Sequence, residues 1–270
     1  MNRLCHHFGL SRNGYYKHLA TSVKTSVMNA DVISLVMQER RRQPRIGGRK
    51  LYHLYSGVLH DLSPRLGRDK FFDLPRSRDL LVPRKRSSTR TTNSYHRFHR
   101  YGNLLKEMQV NRPCQAWVAD ITYLRLGQGF AYLSLLTDDY SRKIVGWQLS
   151  RGLGIEGPLE ALKQALSRVR DTTGLVHHSD RGIQYCSNPY TELLLGREIR
   201  ISMTEENHCY ENAKAERVNG ILKDEYMLDS TFDSFEQARR ACTHAIKMYN
   251  TRRPHQALDY NVPEEVHKIA

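Results

Sequence analysis

The sequence predicts an α/β fold: a mixed sheet flanked by helices, with a smaller all-helical region before it. Two observations predict this fold. Short helical patterns give way near residue 115 to runs of β-branched and aromatic residues, and helix and strand patterns alternate after those runs. A chain of 270 residues is also long enough to bury one substantial core beside a small appended domain. We therefore expect one principal domain with helical appendages.

The first 82 residues are predicted to form short helices. Apolar residues recur at helical spacing in two segments before residue 40 and again around residues 51–55 and 66–72, with basic residues such as Arg49 and Lys50 between them. Small helices, a Gly-containing turn and many cations suit a helix-turn-helix that binds DNA. The alternative is a helical bundle with a solvated charged face. The first two helices are assigned from Leu4, Leu10, Tyr15, Tyr16 and Leu19, and from Val32, Ile33, Val36 and Met37.

Residues 83–110 are predicted to be a basic linker. Their first part is polar, contains Arg84, Lys85 and Arg86, and shows no apolar periodicity, so it cannot build a core. Each of these cations could displace a counterion from a DNA backbone. We accordingly divide the chain into a helical, helix-turn-helix-like region at 1–82, the linker at 83–110 and a catalytic core at 111–270.

The core is predicted to begin with an antiparallel meander of three strands. Residues 117–123, 131–137 and 144–149 are rich in β-branched and aromatic residues and are separated by short turns. Helix and strand patterns then alternate, and this is the order of elements in an RNase H-like layer. The predicted elements are a helix near 159–169, a strand at 175–178, a helix at 190–195, a strand at 199–203, and helices at 212–226 and 234–249.

Three carboxylates occupy positions in this core that suggest a metal site. Asp120 interrupts a strand that would otherwise be buried, where a carboxylate is costly unless a cation or hydrogen bonds compensate it. Asp180 follows the end of a strand, and Glu216 lies on a helix with Lys223 on the same face. Such an oxygen donor set suits Mg²⁺. Read singly, either aspartate could be a helix cap or a satisfied buried acid, and Glu216 a solvated helix residue.

Charge and cysteine content restrict the class of protein. There are 42 Lys and Arg against 28 Asp and Glu, a formal net charge of +14, which favours a nucleic-acid partner, although a generically basic protein remains an alternative. The five cysteines form no C-x-x-C pair, so neither a structural zinc site nor a disulfide framework is predicted. The apolar runs are too short for a membrane span, and no signal peptide is recognised, so a cytoplasmic protein without membrane contact is expected.

The residues around the three acids resemble one family, the OrfB-type insertion-sequence transposases, also called insertion sequence family three, within the retroviral-integrase superfamily. The similar segments are 117–123, 178–185, 211–219 and 249–258, in the family's order. Thirty-five residues, 181 to 215, separate Asp180 from Glu216, which matches the D-35-E pattern, and Lys223 matches the basic residue seven after the glutamate. Segments 10–16 and 47–51 extend the resemblance upstream. The chain departs from many members in carrying Arg-Val-Asn after Glu216, where Ser-Phe-Phe is frequent.

The resemblance implies the catalytic core fold of retroviral integrases and a DDE transposase, in which Asp120, Asp180 and Glu216 are catalytic and hold two Mg²⁺ ions that Mn²⁺ can replace. Implied substrates are the terminal inverted repeats of the element and target DNA, bound by a homo-oligomer in the bacterial nucleoid. An upstream-frame product, fused or associated, is also implied. Two alternatives remain: a stand-alone RNase H-like nuclease, or a DNA-binding regulator that uses the amino-terminal helices alone. Eight residues are assigned to DNA contact. Lys223, Arg181 and Asn212 are close to the acids in the sequence, and Arg49, Lys50, Arg84, Lys85 and Arg86 precede the catalytic core.

Overall fold

A computed structural model of the protein describes residues 5, 7, 9, 11–64, 66–82, 99, 101–205 and 213–268. The chain divides into two units, Met1–Pro83 and Arg84–Ala270, and each is described by itself. None of the helices in the described part of the chain combines the length and apolar character that crossing a membrane requires.

The amino-terminal unit is helical, as the sequence predicts, but its first helix differs from the prediction. Separate helices were expected around Leu4 to Leu19 and around Val32 to Met37, whereas residues 12–42 form one helix of 31 residues. Leu4 and Leu10 lie outside the described residues. Neither glycine nor proline occurs between residues 15 and 42, so no residue type that ends a helix separates the two apolar segments. The helix begins after Ser11, whose side chain accepts a hydrogen bond from the backbone N–H of Gly14 at 2.9 Å. The helices are α1 (Arg12–Arg42), α2 (Gly48–Leu54), α3 (Ser56–Leu62) and α4 (Arg68–Ser77).

Only the second half of α1 packs into the core of this unit. Val32 and Val36 are buried, whereas Tyr16, Val23 and Val27 are exposed. The buried cluster joins α1 to the three shorter helices. Its members are Val32, Val36, Ile46, Leu51, Leu59, Leu66 and Phe71.

A six-stranded mixed sheet forms the second unit, which confirms the predicted fold class. The strands are β1 (Ala116–Leu126), β2 (Phe130–Asp138), β3 (Ile144–Ser150), β4 (Val176–Ser179), β5 (Arg200–Met203) and β6 (Thr231–Phe232). Strand order is β3-β2-β1-β4-β5, with a short β6 paired to β1. The predicted meander is confirmed: β1 pairs with β2, and β2 with β3, in antiparallel fashion. Strands β4 and β5 are parallel to β1, as crossover helices require.

Helices cover both faces of the sheet. Side chains alternate between the faces along a strand, and on β1 Trp117 and Ala119 join one apolar cluster while Leu124 joins the other. The helices of this unit are α5 (Glu156–Leu166), α6 (Ile183–Cys186), α7 (Asn188–Leu195), α8 (Ala213–Glu225), α9 (Phe235–Thr251) and α10 (Pro263–Lys268). The cluster that contains Trp117 and Ala119 lies under α5 and α7, and the cluster that contains Leu124 lies under α8 and α9. Asp120 is at an even position like Leu124, which directs it to the face covered by α8.

The contact between α5 and β3 depends on a glycine. A methyl group on Gly146 would lie 2.1 Å from the backbone carbonyl oxygen of Ala161 in α5. A helix backbone cannot yield as a flexible side chain would, so Gly146→Ala is expected to lower the free energy of unfolding by about 1–3 kcal/mol. Chemical denaturation would measure the loss. The matched control is Gly152→Ala, where no atom lies within 4 Å of the added methyl group. Equal midpoints for the two variants would contradict this account of the packing.

Candidate active site

Asp120 lies in the middle of β1, partly buried and held by two hydrogen bonds. Its Oδ1 accepts the backbone N–H of Ile121 at 2.9 Å, and its Oδ2 accepts Nδ2 of Asn219 at 2.7 Å. Burial has the largest effect on the pKa of Asp120, and the negative charge of Asp180 has the next largest. These effects raise the pKa to about 7, although the two hydrogen bonds lower it. Glu216 adds a smaller effect in the same direction. A carboxylate in this place is therefore destabilised by burial and by other carboxylates.

Asp180 is brought beside Asp120 by the register of two parallel strands. Val118 of β1 is paired with His178 of β4, and each aspartate follows two residues later in the same direction. Adjacent strands are about 4.8 Å apart, so the two side chains start from neighbouring positions on two central strands of the sheet. Asp180 Oδ1 accepts the N–H of Gly182 at 3.0 Å, which fixes the chain as it leaves the strand.

Glu216 comes from α8, on the face of the sheet to which Asp120 points. It lies in the first turn of the helix and is exposed, while Ala215 and Val218 beside it are buried against the sheet. Its negative charge is the smallest of the effects that raise the pKa of Asp120, after burial and the charge of Asp180. Within the described residues, however, no three His, Cys, Asp or Glu side chains lie close enough together to hold one metal ion. Two carboxylates thus lie on adjacent strands, and the third lies on a separate element.

The residues fit a divalent cation in their chemistry. Asp120, Asp180 and Glu216 offer only carboxylate oxygens, the ligands that hard cations such as Mg²⁺ and Mn²⁺ accept. A cation between them would compensate the charge repulsion that raises the pKa of Asp120.

Asn219 is a functional candidate that the sequence analysis missed. It is buried, its Nδ2 donates to Asp120, and its Oδ1 is buried without a hydrogen-bond partner in the described part of the structure. The signal was present in the sequence, since a residue three positions after Glu216 lies close to the same helix face. It is also the position at which this chain carries Asn where Phe is frequent in the family.

Two buried histidines support the strand that leads to Asp180. Burial, together with the neighbouring His178, lowers the pKa of His177 to about 3, so His177 is neutral. Its Nε2 is 2.9 Å from the hydroxyl of Tyr190, and Nδ1 of His178 is 2.8 Å from the hydroxyl of Ser202 in β5. These contacts tie β4 to α7 and β5, and they give the histidines a packing role.

The predicted basic contacts are found in different parts of the chain. Lys223 lies on α8, seven residues after Glu216, with Nζ 4.4 Å from the ring centroid of Tyr123 in β1. Arg181 is partly buried directly after Asp180, and Arg49 and Lys50 lie on α2 of the amino-terminal unit. The other predicted contacts, Asn212, Arg84, Lys85 and Arg86, lie outside the described residues.

The chain is similar to several known proteins. Two family models, both described as "Integrase core domain", match residues 110–209 and 197–263. The 31 kDa protein of insertion element IS600 of Shigella sonnei is 32% identical over 99% of this chain and 100% of its own length. The transposase of IS629 of Shigella sonnei is 35% identical over 60% of this chain, and InsF of IS3A of Escherichia coli is 35% identical over the same share. This chain spans only 55% and 57% of those two transposases.

Among solved structures, the integrase catalytic core domain of HTLV-2 in complex with magnesium has a TM-score of 0.46 and 19% identity, over 58% of this chain and 97% of that one. The family assignment does not depend on this similarity. It follows from the match to the IS600 protein, which extends over the whole of both chains, and from the two integrase core matches. The chain belongs to the OrfB-type insertion-sequence transposases, insertion sequence family three of the DDE integrase superfamily.

Proposed function

We propose that this protein cleaves phosphodiester bonds at the ends of an insertion element and joins those ends to target DNA. The observation that carries the proposal is the placement of Asp120 and Asp180 at corresponding positions of two adjacent parallel strands, with Glu216 on α8, the helix whose Asn219 contacts Asp120. A structural role for these acids would not bring Asp120 and Asp180 to neighbouring positions on adjacent strands, because two like charges there cost stability unless a cation is bound.

Enzymes of this superfamily work with divalent metal ions. In our proposal Asp120, Asp180 and Glu216 hold two Mg²⁺ ions, which Mn²⁺ can replace. Two such ions, when bound, activate the attacking oxygen and stabilise the leaving oxygen of an in-line phosphodiester displacement. Asn219 orients Oδ2 of Asp120, and Glu216, exposed in the first turn of α8, would supply the third carboxylate.

Transposases act on DNA and form oligomers. We propose that this chain binds the terminal inverted repeats and target DNA as a homo-oligomer, at the bacterial nucleoid. The amino-terminal unit, including Arg49 and Lys50, and the basic segment with Arg84, Lys85 and Arg86 would supply sequence-independent phosphate contacts. Association with an upstream-frame product is a further prediction, which co-purification from the complete element would test.

A joining assay tests the proposed reaction. Purified protein would be incubated with labelled duplexes that carry the element's ends, unlabelled target DNA and Mg²⁺. We expect cleaved ends and joined products, both absent when EDTA replaces the metal. Cleavage without joining would instead identify a stand-alone nuclease, and binding without either product would identify a regulator.

Lys223 is expected to orient a DNA phosphate beside the acids without binding metal. A hydrogen bond from a charged donor contributes about 1.5–3 kcal/mol, so Lys223→Ala should reduce joining about tenfold or more at saturating DNA. Metal binding should not change, and Lys223→Arg should recover part of the activity. The control is Lys247→Ala, an exposed lysine on α9. If Lys223→Ala joined DNA as efficiently as the wild type, the role of Lys223 would be confined to its contact with the ring of Tyr123.

A further inference from the structure

A buried carboxylate lies directly after β2, away from the three acids. The side chain of Asp139 is 1% exposed and accepts two cationic partners. Nη1 of Arg142 is 2.8 Å from Oδ1 of Asp139, and Nζ of Lys214 is 2.7 Å from its Oδ2. The backbone N–H of Asp139 donates to the carbonyl of Ala116 at 2.9 Å, so the carboxylate is anchored to the beginning of β1.

The two partners of Asp139 differ in what they connect. Arg142 is three residues away in the same turn and compensates the buried charge locally. Lys214 is 75 residues away, in the first turn of α8. Most pairs with one exposed partner contribute little to stability, and Lys214 is 55% exposed. The distinctive effect of its pair with Asp139 is therefore to connect a helix to the sheet.

Two side-chain hydrogen bonds connect α8 to the sheet on either side of Glu216. Lys214 is two residues before Glu216 and reaches Asp139, while Asn219 is three residues after it and reaches Asp120. The rise along the helix axis from Lys214 to Asn219 is about 7.5 Å. After Glu216, α8 is also held by the packing of Val218 and Leu222 and by the ion pair of Glu225 with Arg253. Lys214 supplies a polar tie before Glu216, so its pair with Asp139 restricts where the first turn of α8 lies.

We propose that Lys214 is a positioning residue, whose ion pair with Asp139 places Glu216 opposite Asp120 and Asp180 and so increases the affinity of the site for a divalent cation. The inference rests on the proposed roles of these three acids. Lys214 acts through α8 and touches neither metal nor DNA in this role.

The test compares Lys214→Met, which keeps most of the aliphatic chain, with Lys214→Arg, which keeps the charge. The matched control is Lys163→Met, because Lys163 pairs with Glu160 at the same 2.7 Å on the surface of α5. Two quantities are measured on the full chain: the rise of Tm as Mg²⁺ or Mn²⁺ is added without DNA, and the metal concentration that gives half-maximal cleavage.

We expect Lys214→Met to keep its metal-free Tm, since Arg142 still compensates Asp139, and to require about tenfold more metal in both measurements. Its cleavage rate should recover at saturating metal. Lys214→Arg and Lys163→Met should resemble the wild type. An unchanged metal requirement in Lys214→Met would overturn the inference, as would a lower metal-free Tm with an unchanged metal requirement, which would mean that the pair is only structural.

Failure of the proposed function would look different. If Asp120→Asn kept both the metal-induced rise of Tm and the activity, the assignment of the acids would fail whatever Lys214→Met did. If the wild type bound metal but joined no DNA, the proposed reaction would be wrong. The rise of Tm with added metal would still decide whether Lys214 is a positioning residue.

Discussion

Asp120→Asn, Asp180→Asn and Glu216→Gln are each expected to abolish cleavage and joining while DNA binding stays nearly unchanged. Each substitution removes a negative charge from the proposed metal site. Metal ions supply several kcal/mol of transition-state stabilisation, and each 1.36 kcal/mol changes a rate tenfold, so we expect losses of at least roughly a thousandfold. Affinity for DNA should survive because it depends on cations elsewhere in the chain.

The comparison should include an acid outside the site. Asp171→Asn is suitable because Asp171 is exposed in a loop, where its Oδ1 accepts a hydrogen bond from the backbone N–H of Thr173. Activity would be measured in Mg²⁺ and in Mn²⁺, with DNA binding followed in parallel. Substantial activity in any one of the three site variants, with either metal, would remove that residue from the site.

Deleting residues 1–95 is expected to flatten the salt dependence of non-specific DNA binding. These residues contain 19 Lys and Arg against 6 Asp and Glu, whereas residues 96–270 contain 23 against 22. Almost all of the net positive charge is therefore in the deleted part. Each phosphate contact that is lost removes about 0.9 from the slope of log affinity against log salt, and several contacts should disappear together.

The remaining fragment should fold, because the sheet and both of its apolar clusters lie within residues 116–249. Binding of the full chain and the fragment would be measured between low and moderate salt, with circular dichroism as the check on folding. Equal slopes would show that the amino-terminal segment is a packing or partner-binding module and that its assignment to DNA is wrong.

Elements with a strong local pattern could be predicted from the sequence, and elements fixed by distant contacts could not. The meander was predictable because β-branched and aromatic residues fill three strands separated by short turns. β6 has two residues, too few for any periodicity, and it exists because it pairs with the far end of β1. The split of α1 into two helices was wrong because a gap in apolar residues was interpreted as a gap in the helix.

The candidate site shows the same distinction. Asp120, Asp180 and Glu216 could be named from their positions in strand, strand end and helix, and from the resemblance around them. Lys214 and Asn219 could not be given partners, because their contacts with Asp139 and Asp120 join residues 75 and 99 positions apart. Only the packing of α8 on the sheet brings these pairs together.

The order of the elements along the chain has a consequence for synthesis. Domains of a nascent chain fold in the order in which they emerge. The basic residues of the first 95 positions are made first, the strands with Asp120 and Asp180 follow, and α8 with Glu216 begins only at residue 213. In the assignment proposed above, Glu216 is therefore the last of the three acids to be made, 36 residues after Asp180. On the same assignment, a chain interrupted between them would keep the basic residues proposed to bind DNA and would lack the third metal ligand.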